Sequence, residues 1–436
     1  MNPFVVTAIM FSGMLILMAL GVPIAFCLGS VGLIATIFLW GTSSIDLVYF
    51  TLWNVLNNFI LIAVPLFIFM GYVLHGSGVA KDLFDAVYLW AGRIRGGLGM
   101  GTVAICAIMA AMVGISGAAT ISMGVIALPA MLEKHYDKRI AIGLIQAGGA
   151  LGFLIPPSMM MIMYAFLSGE SVGKLFAGGV VPGLLLALCY IIYIGVRCYF
   201  QPHLGPALAL EERGTLRDKV ISLKGLTLPA LLITAVLGCI FFGITSPTEA
   251  AAVGALGAIV CAAIRRQLSW TMLKDSALKT LNISSFTAFI IIGAVVFSTV
   301  YTGLGATEMI KTTIVGLDVS PLVILIIMQL SFIVLGMFLD DLAILFLCMP
   351  IYLPIIKALG FDPVWFAVLY VVNMQMAYIT PPYGINLFYM KAVAPPDISM
   401  GDIYHSVLPF VLIQVVMLAL FIMYPNIILW LPNLLF

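Results

Sequence analysis

Charged residues are scarce in this chain. Lys, Arg, Asp and Glu make up 8% of its 436 residues, against about a quarter in ordinary soluble domains, while hydrophobic residues make up 63%. The formal net charge is only +1, and no basic cluster exceeds a few residues, so nothing indicates a nucleic-acid partner. The composition predicts a polytopic, all-α membrane protein without a sizeable soluble domain.

Histidine and cysteine are also few. The four histidines fall at the ends of apolar runs or in loops, and the seven cysteines are scattered without the spacing of metal ligands. We interpret the cysteines as small core residues. We therefore expect no cofactor and no enzymatic activity.

Proline, by contrast, is placed in a pattern. Pro156-Pro157 and Pro381-Pro382 lie about 225 residues apart, each inside a long apolar run. A proline lacks the backbone N–H and disturbs the preceding turn, so a pair of them opens a helix and frees carbonyl groups. Within a membrane such groups are tolerated only where they line a cavity or are buried in protein. Two interrupted segments at matching places in two halves indicate the binding site of a transporter, although a plain proline kink is the alternative.

About 20 apolar residues are needed for one crossing, and on that basis we predict ten. Eight are full spans: Pro3–Leu20, Val22–Trp40, Asn57–Leu74, Leu175–Val196, Leu226–Phe242, Glu249–Ile264, Ile283–Thr302 and Val407–Trp430. The other two, Ile140–Leu167 and Pro363–Val393, are the helices broken by the proline pairs.

Two further apolar runs are too long for one helix and are interrupted near their middle. Leu98–Met131 is interrupted by small and polar residues from Gly114 to Thr120, and Pro321–Ile356 by Leu339-Asp340-Asp341. We interpret both runs as re-entrant hairpins whose tips stop at mid-membrane.

The two halves share one order of elements. Each has three spans, an amphipathic segment typical of the membrane interface (Val79–Arg95 and Ala306–Leu317), a hairpin, a broken helix and a final span. Five crossings per half is an odd number, so the second half enters the membrane from the opposite face. The sequence therefore predicts an inverted repeat.

The predicted domain organisation follows from this repeat. The first inverted repeat covers residues 1–197, a cytoplasmic linker 198–225, and the second repeat 226–436. We expect an elevator-type transport unit made of 98–167 and 321–393, with the remaining spans as its scaffold.

Basic residues predict the orientation. With both termini periplasmic, sixteen of the nineteen Lys and Arg residues fall on the cytoplasmic side, and only Lys174, Lys311 and Lys357 fall outside. This asymmetry agrees with the positive-inside rule. The first hairpin then enters from the cytoplasm and the second from the periplasm, so we expect their tips to meet.

Ser116 and Thr120 lie at the first tip, where Gly114 and Gly117 permit a turn. A functional tip and an ordinary small-residue packing surface both remain open. The string from Gly114 to Gly117 also matches the GxSG motif of intramembrane serine proteases. Such an enzyme needs a histidine deep in a second helix, and no histidine is so placed.

Asp340 and Asp341 are the only acidic pair within a long apolar run. A carboxylate inside a membrane indicates function, but neighbouring helical residues point about 100° apart, so we do not expect a catalytic dyad. One of them can cap the helix that leaves the tip, and the other can bind a cation or a substrate hydroxyl. Asn373 precedes the second break, and Gln146 and Asn386 are further polar candidates.

These residues resemble those of a known family. The segments from Gly114 to Ala119 and from Gly149 to Ser158, with Gly336 to Asp340 and Ile379 to Gly384, resemble the large membrane subunit of tripartite ATP-independent periplasmic (TRAP) transporters. The resemblance covers essentially the whole chain. It implies an elevator-type secondary transporter of the bacterial inner membrane, driven by Na⁺, that works with a small four-helix membrane subunit and a periplasmic solute-binding protein.

The resemblance further implies an organic-acid substrate, such as a C4-dicarboxylate or a sugar acid. We expect two cation sites formed largely by backbone carbonyls and a substrate site between the tips. The first cation site would use Ser116, Gly117, Gly152, Ile155 and Pro156; the second Gly336, Asp340, Thr380 and Pro381. The substrate site would use Thr120, Ser158, Asp341, Asn373 and Asn386. Two alternatives remain: a stand-alone symporter that needs no binding protein, and a passive channel.

Overall fold

The computed structural model describes residues 2–91, 94–114, 116–207, 216–222 and 224–436. All regular elements in these ranges are helices, as the composition predicts. The first half contains α1 (Pro3–Ala19), α2 (Ile24–Ala35), α3 (Ile45–Leu56), α4 (Phe59–Gly76), α5 (Val79–Ala91), α6 (Gly97–Val113), α7 (Ser116–Glu133), α8 (Lys138–Ala150), α9 (Met159–Ser168) and α10 (Val172–Phe200).

The second half continues the numbering. It contains α11 (Leu216–Ser222), α12 (Lys224–Phe241), α13 (Pro247–Ile264), α14 (Trp270–Gly303), α15 (Ala306–Val315), α16 (Pro321–Gly336), α17 (Asp341–Ala358), α18 (Pro363–Ala377), α19 (Ile385–Val393), α20 (Met400–Met423) and α21 (Asn426–Leu435). Among the described helices, seven are long and apolar enough to cross a membrane on their own: α4, α7, α10, α13, α14, α17 and α20. The count of ten crossings stays a prediction.

The order of helices is repeated in the two halves. In each, a short helix (α5, α15) is followed by a two-helix hairpin (α6–α7, α16–α17), a helix interrupted at a proline pair (α8–α9, α18–α19) and a long final helix (α10, α20). Each helix of the second set begins about 225 residues after its counterpart. Both predicted breaks and both predicted hairpins are therefore present as interruptions of the helices.

Side-chain caps fix the beginnings of the two broken helices. Asp137 accepts hydrogen bonds from two backbone N–H groups in the first turn of α8, at 3.0 and 3.1 Å. Asp362 does the same for α18, at 2.7 and 3.0 Å. An N-cap carboxylate satisfies donors that have no partner within the helix, so both broken helices start at defined, equivalent positions.

Several predicted boundaries differ from the structure. The helix α3 is absent from the prediction, because its twelve mostly apolar residues are too few for one crossing. The predicted span Val407–Trp430 is two helices, since Pro425 ends α20 and starts α21. The predicted linker 198–225 contains α11 and the start of α12. Arg93 and Arg213, two of the basic residues counted for the orientation, lie outside the described ranges, as does Ile115 at the first hairpin tip.

The helices pack in two groups. In one group α2 lies against α14, and α4 against α13 and α14. The other group contains the hairpins and broken helices, with α10 against α6 and α18, and α20 against α8 and α18. The long final helix of each half thus packs on the hairpins and broken helices, and α4 and α14 also contact them; the division into a transport unit and a scaffold stays a prediction.

We predict that Gly32→Ala destabilises the first group. A β-carbon at Gly32 would lie 2.8 Å from Val296 Cγ1 and 2.9 Å from the Phe297 nitrogen on α14, and overpacking of this kind costs about 1–3 kcal/mol. Gly238→Ala in α12 is the matched control, since its β-carbon would meet nothing within 4 Å. Thermal unfolding in detergent should show a lower midpoint for Gly32→Ala only; equal midpoints for the two variants would contradict the packing.

Candidate functional site

The first break lies between α8 and α9. A short 3₁₀ turn, Leu151–Phe153, follows α8, and the chain stays irregular until Ser158. Every residue from Leu151 to Ser158 is buried. The peptide bond between Pro156 and Pro157 is cis. The break is therefore enclosed by protein along its whole length.

Some of the backbone carbonyls in this break accept hydrogen bonds, and others do not. The N–H groups of Leu154 and Ile155 both donate to the Leu151 carbonyl at 2.9 Å, and the Ser158 hydroxyl donates to the Phe153 carbonyl at 2.5 Å. Within the described ranges, the carbonyls of Ile155 and Pro156 accept no hydrogen bond. A buried carbonyl without a partner is costly, so these two oxygens are available to a cation.

The second break lies between α18 and α19 and is more exposed. The Thr380 hydroxyl donates to the Met376 carbonyl at 2.7 Å, and the Asn386 N–H donates to the Tyr378 carbonyl across the gap at 3.1 Å. The Pro381-Pro382 peptide bond is also cis, and Pro382 is exposed. Both breaks thus contain a cis Pro-Pro bond, but the first is more deeply buried than the second.

The two breaks contact each other. The rings of Phe153, in the first break, and Tyr378, at the end of α18, pack edge to face with centroids 4.7 Å apart. Because these residues are separated by the repeat interval of 225 positions, they are equivalent in the two halves. Neither residue is among the site residues predicted from the sequence, although the internal repeat places them at equivalent positions.

The tip of the first hairpin, between α6 and α7, also lies against the two broken helices. Gly114 has φ of +66°, and a β-carbon there would collide with the Pro157 carbonyl oxygen; a glycine is needed for both reasons. At the start of α7, the Ser116 hydroxyl donates to Asn386 Oδ1 at 3.4 Å. A β-carbon at Gly117 would collide with the ring of Tyr389. The tip therefore touches both breaks.

Asn386 connects the two halves directly. Besides accepting from Ser116, its side-chain amide donates to the Gln146 carbonyl in α8 at 3.1 Å. The residue is fully buried. Asn386 thus bridges the second broken helix, the first broken helix and the first tip.

The second tip surrounds a small cavity. The cavity measures about 10 Å³, which is close to the space that one water molecule requires. Among its lining residues are Gly336, Asp341, Tyr378 and Gly384. It has room for a single water or a monatomic ion, and it is too small for an organic acid.

The two tip aspartates differ in their surroundings. Asp340 stands at the N-cap position of α17 but makes no capping hydrogen bond, and its Oδ2 atom is buried without a partner among the described residues. Asp341 is 8% exposed and faces the small cavity. The Asp340 side chain is not used as a cap here, which leaves an oxygen for a ligand.

The predicted substrate residues are only partly brought together. Thr120 is fully buried beside Gly149, and its hydroxyl has no partner in the described part of the chain. Ser158 is engaged in holding the first break. Asn373 lies in α18, before the break. Its amide donates to Gln329 Oε1 on α16 at 2.5 Å and to the Leu369 carbonyl of its own helix at 3.3 Å.

Comparisons with known proteins agree on one family. The family description "Tripartite ATP-independent periplasmic transporter, DctM component" matches residues 11–427. The C4-dicarboxylate TRAP transporter large permease protein DctM of Pseudomonas aeruginosa is 34% identical, covering 91% of this chain and 92% of that protein. The protein of the same name from Rhodobacter capsulatus is 33% identical over 98% of this chain and 99% of that protein.

Other relatives extend this comparison. The sialic acid TRAP transporter large permease protein SiaM of Vibrio cholerae is 29% identical over 97% of both chains. Among solved structures, the YdaH transporter of Alcanivorax borkumensis superposes with a TM-score of 0.65 at 17% identity, covering 89% of this chain and 90% of that chain. That likeness concerns the fold alone.

The repeated order of helices, the two broken helices and the whole-chain match lead to one assignment. The protein is a transport subunit and not an enzyme. It is a secondary-transport permease of the inner membrane, and it belongs to the DctM family of TRAP transporter large permease proteins.

Proposed function

We propose that this chain imports a small organic acid across the inner membrane, driven by inward movement of Na⁺. The observation that carries the proposal is the meeting of two proline-broken helices, one from each half, with the tip of the first hairpin. Broken helices at matching places of two repeats form the central site of many secondary transporters.

The first cation site would lie at the first break. The carbonyls of Ile155 and Pro156, which have no donor among the described residues, would supply neutral oxygen ligands, and the buried Ser116 hydroxyl lies at the neighbouring tip. Gly117 lets the tip lie against the Tyr389 ring, and Gly152 lies in the short 3₁₀ turn of the break. Such a set of oxygens coordinates a monovalent cation without burying a negative charge.

The second cation site would lie at the second break and second tip. The cavity beside Gly336 and Asp341 has room for one ion, and Asp340 offers an oxygen without a partner. The Thr380 hydroxyl donates its hydrogen to Met376, so its lone pairs remain free to face a cation. The carbonyl of Pro381 would complete the set.

The substrate would lie beside Asn386, between the tips and near Thr120 and Ser158. No Lys or Arg is among the buried residues of the described ranges. A carboxylate there would instead meet the positive ends of the half-helices that start at the tips and breaks, such as α7 and α19. Asp341 and the bound cations would add to its recognition.

We also propose which parts move. The hairpins and broken helices would form the moving unit of an elevator, with the first half inverted relative to the second. Because α10 and α20 pack on α6, α8 and α18, we assign these two helices to the moving unit as well. The group around α2, α4, α13 and α14 would be the scaffold.

The partners follow from the family. The chain would work with a small four-helix membrane subunit and a periplasmic solute-binding protein, with both termini in the periplasm. Relatives are named for C4-dicarboxylates and for sialic acid, so we propose an organic acid of one of these classes. The alternative is a symporter that needs no binding protein.

Reconstitution separates these possibilities. We predict that proteoliposomes take up the solute only when the chain, the small subunit and the loaded binding protein are all present and an inward Na⁺ gradient is applied. Replacing Na⁺ by K⁺ should abolish uptake. Uptake by this chain alone would exclude the tripartite system, and flux that follows only the solute gradient would indicate a channel.

We predict that Asp340→Asn lowers Na⁺-coupled uptake about tenfold or more, equivalent to ~1.4 kcal/mol, because it removes a charge from the second cation site. The folded amount in the membrane should change little. Asp362→Asn is the matched control, since Asn caps a helix as well as Asp does. The measurement is initial uptake normalised to folded protein; a normalised uptake equal to that of the unaltered chain would contradict a role of Asp340 in cation binding.

We predict that Asn386→Ala raises the solute concentration for half-maximal uptake by roughly tenfold, because it removes the side chain that holds Ser116 and the Gln146 carbonyl beside the proposed substrate site. Asn373→Ala is the control, because Asn373 is equally buried but pairs with Gln329. Both variants should lose similar thermal stability. A similar effect of both variants on the half-saturating concentration would contradict the placement of the substrate.

A further inference from the structure

A groove runs between the long final helices of the two halves, α10 and α20. It has a volume of about 660 Å³ and is lined mainly by apolar side chains, among them Ile192, Val196, Leu412 and Val416. These four side chains are 53%, 52%, 65% and 65% exposed. In a membrane-spanning region such an open apolar groove faces lipid.

One end of the groove opens into a second, polar pocket of about 280 Å³. Tyr193 and Arg197 line both cavities, so the two are adjacent. Arg139 and His405 also line the polar pocket. Three basic side chains therefore surround the end of an apolar groove.

The acidic groups near this pocket are already engaged. Asp137 lines it but accepts two backbone hydrogen bonds as the cap of α8. Asp402 lies nearby, pairs with Lys138 at 2.8 Å and is 3.9 Å from Arg139.

The basic groups retain free hydrogen-bonding capacity. No carboxylate in the described ranges lies within ion-pair distance of the Arg197 guanidinium. His405 Nδ1 bonds to the Gly401 carbonyl at 2.6 Å, which leaves Nε2 for another group. Of the two arginines, Arg197 is therefore the one whose guanidinium has no acidic partner in the described ranges.

We propose that α10 and α20 bind an anionic phospholipid, with an acyl chain in the groove and the phosphate beside Arg197, Arg139 and His405. Basic pockets between membrane helices bind anionic headgroups. The lining of the groove from Cys189 to Gln201 spans roughly 18 Å at the helical rise, close to the ~15 Å depth of one leaflet. A free anion would need no groove, and a partner helix would need no basic end.

This site is separate from the transport site. None of the residues that line the groove or the polar pocket belongs to the candidate cation or substrate residues. In the proposed topology the polar pocket lies at the cytoplasmic end of α10, so the lipid would come from the inner leaflet.

Native mass spectrometry of the delipidated full chain tests the proposal. Phosphatidylglycerol and phosphatidylcholine of equal chain length are titrated separately, and glycerol 3-phosphate serves as the water-soluble competitor. We expect tighter binding of phosphatidylglycerol. Arg139→Gln with Arg197→Gln should weaken it about 25-fold, about fivefold for each arginine, while Lys274→Gln, an exposed lysine on α14, should leave it unchanged.

A second variant tests the groove itself. Val196→Trp places a large ring at an exposed position of the groove and should weaken binding of phosphatidylglycerol while the chain still folds, as size-exclusion chromatography would show. Equal binding of the two lipids, or an unchanged affinity in the arginine variant, would overturn the proposal. Displacement of the lipid by equimolar glycerol 3-phosphate would show a free-anion site instead, and displacement by the small membrane subunit would show a protein-docking surface.

Discussion

The need to satisfy backbone polar groups away from water governs this structure. A helix does so within itself, and each interruption of a helix in a membrane leaves carbonyls that cost about 2–7 kcal/mol when buried alone. The chain contains two such interruptions and encloses them with hairpin tips, aromatic rings and side-chain amides. At the first break, no residue in the described part of the chain donates a hydrogen bond to the Ile155 or Pro156 carbonyl. In the proposed mechanism a bound cation would satisfy these oxygens as hydrogen-bond donors do.

The two halves depend on each other to build one site. Ser116 belongs to the first half and Asn386 to the second, yet they are hydrogen-bonded, and Asn386 also holds the Gln146 carbonyl of the first broken helix. Phe153 and Tyr378 occupy equivalent positions and pack against each other. These contacts join the two breaks, and the proposed mechanism requires such a connection if cation and substrate are to move together. The glycines at 114 and 117 permit these contacts, because a larger side chain at either position would separate the tip from the breaks.

Much of this arrangement was predictable from the sequence, because it depends on residue types with strong local effects. Proline pairs mark the breaks, the interval of about 225 residues reveals the repeat, and Asp137 and Asp362 mark helix starts. The sequence could not show that Asn373 pairs with Gln329, because that partner lies 44 positions away on another helix. It also did not reveal α3 or the packing of α10 and α20 on the hairpins, since apolar helices in a membrane protein lack the polar face that would show which side is buried. The contact of Phe153 with Tyr378 was implicit in the repeat but needed the fold to bring the two positions together.

Membership of the DctM family places this chain among secondary transporters, and in the proposed mechanism the chemistry of coupling would rest on the two interrupted helices. A structure of the complex with its small subunit, determined in Tl⁺ as a heavy substitute for Na⁺ and again in choline, tests that chemistry most directly. The account predicts two Tl⁺ peaks, one beside the carbonyls of Ile155 and Pro156 and one between Asp340 and Thr380, and both should disappear in choline. Tl⁺ bound elsewhere in the protein, with neither break occupied, would contradict it.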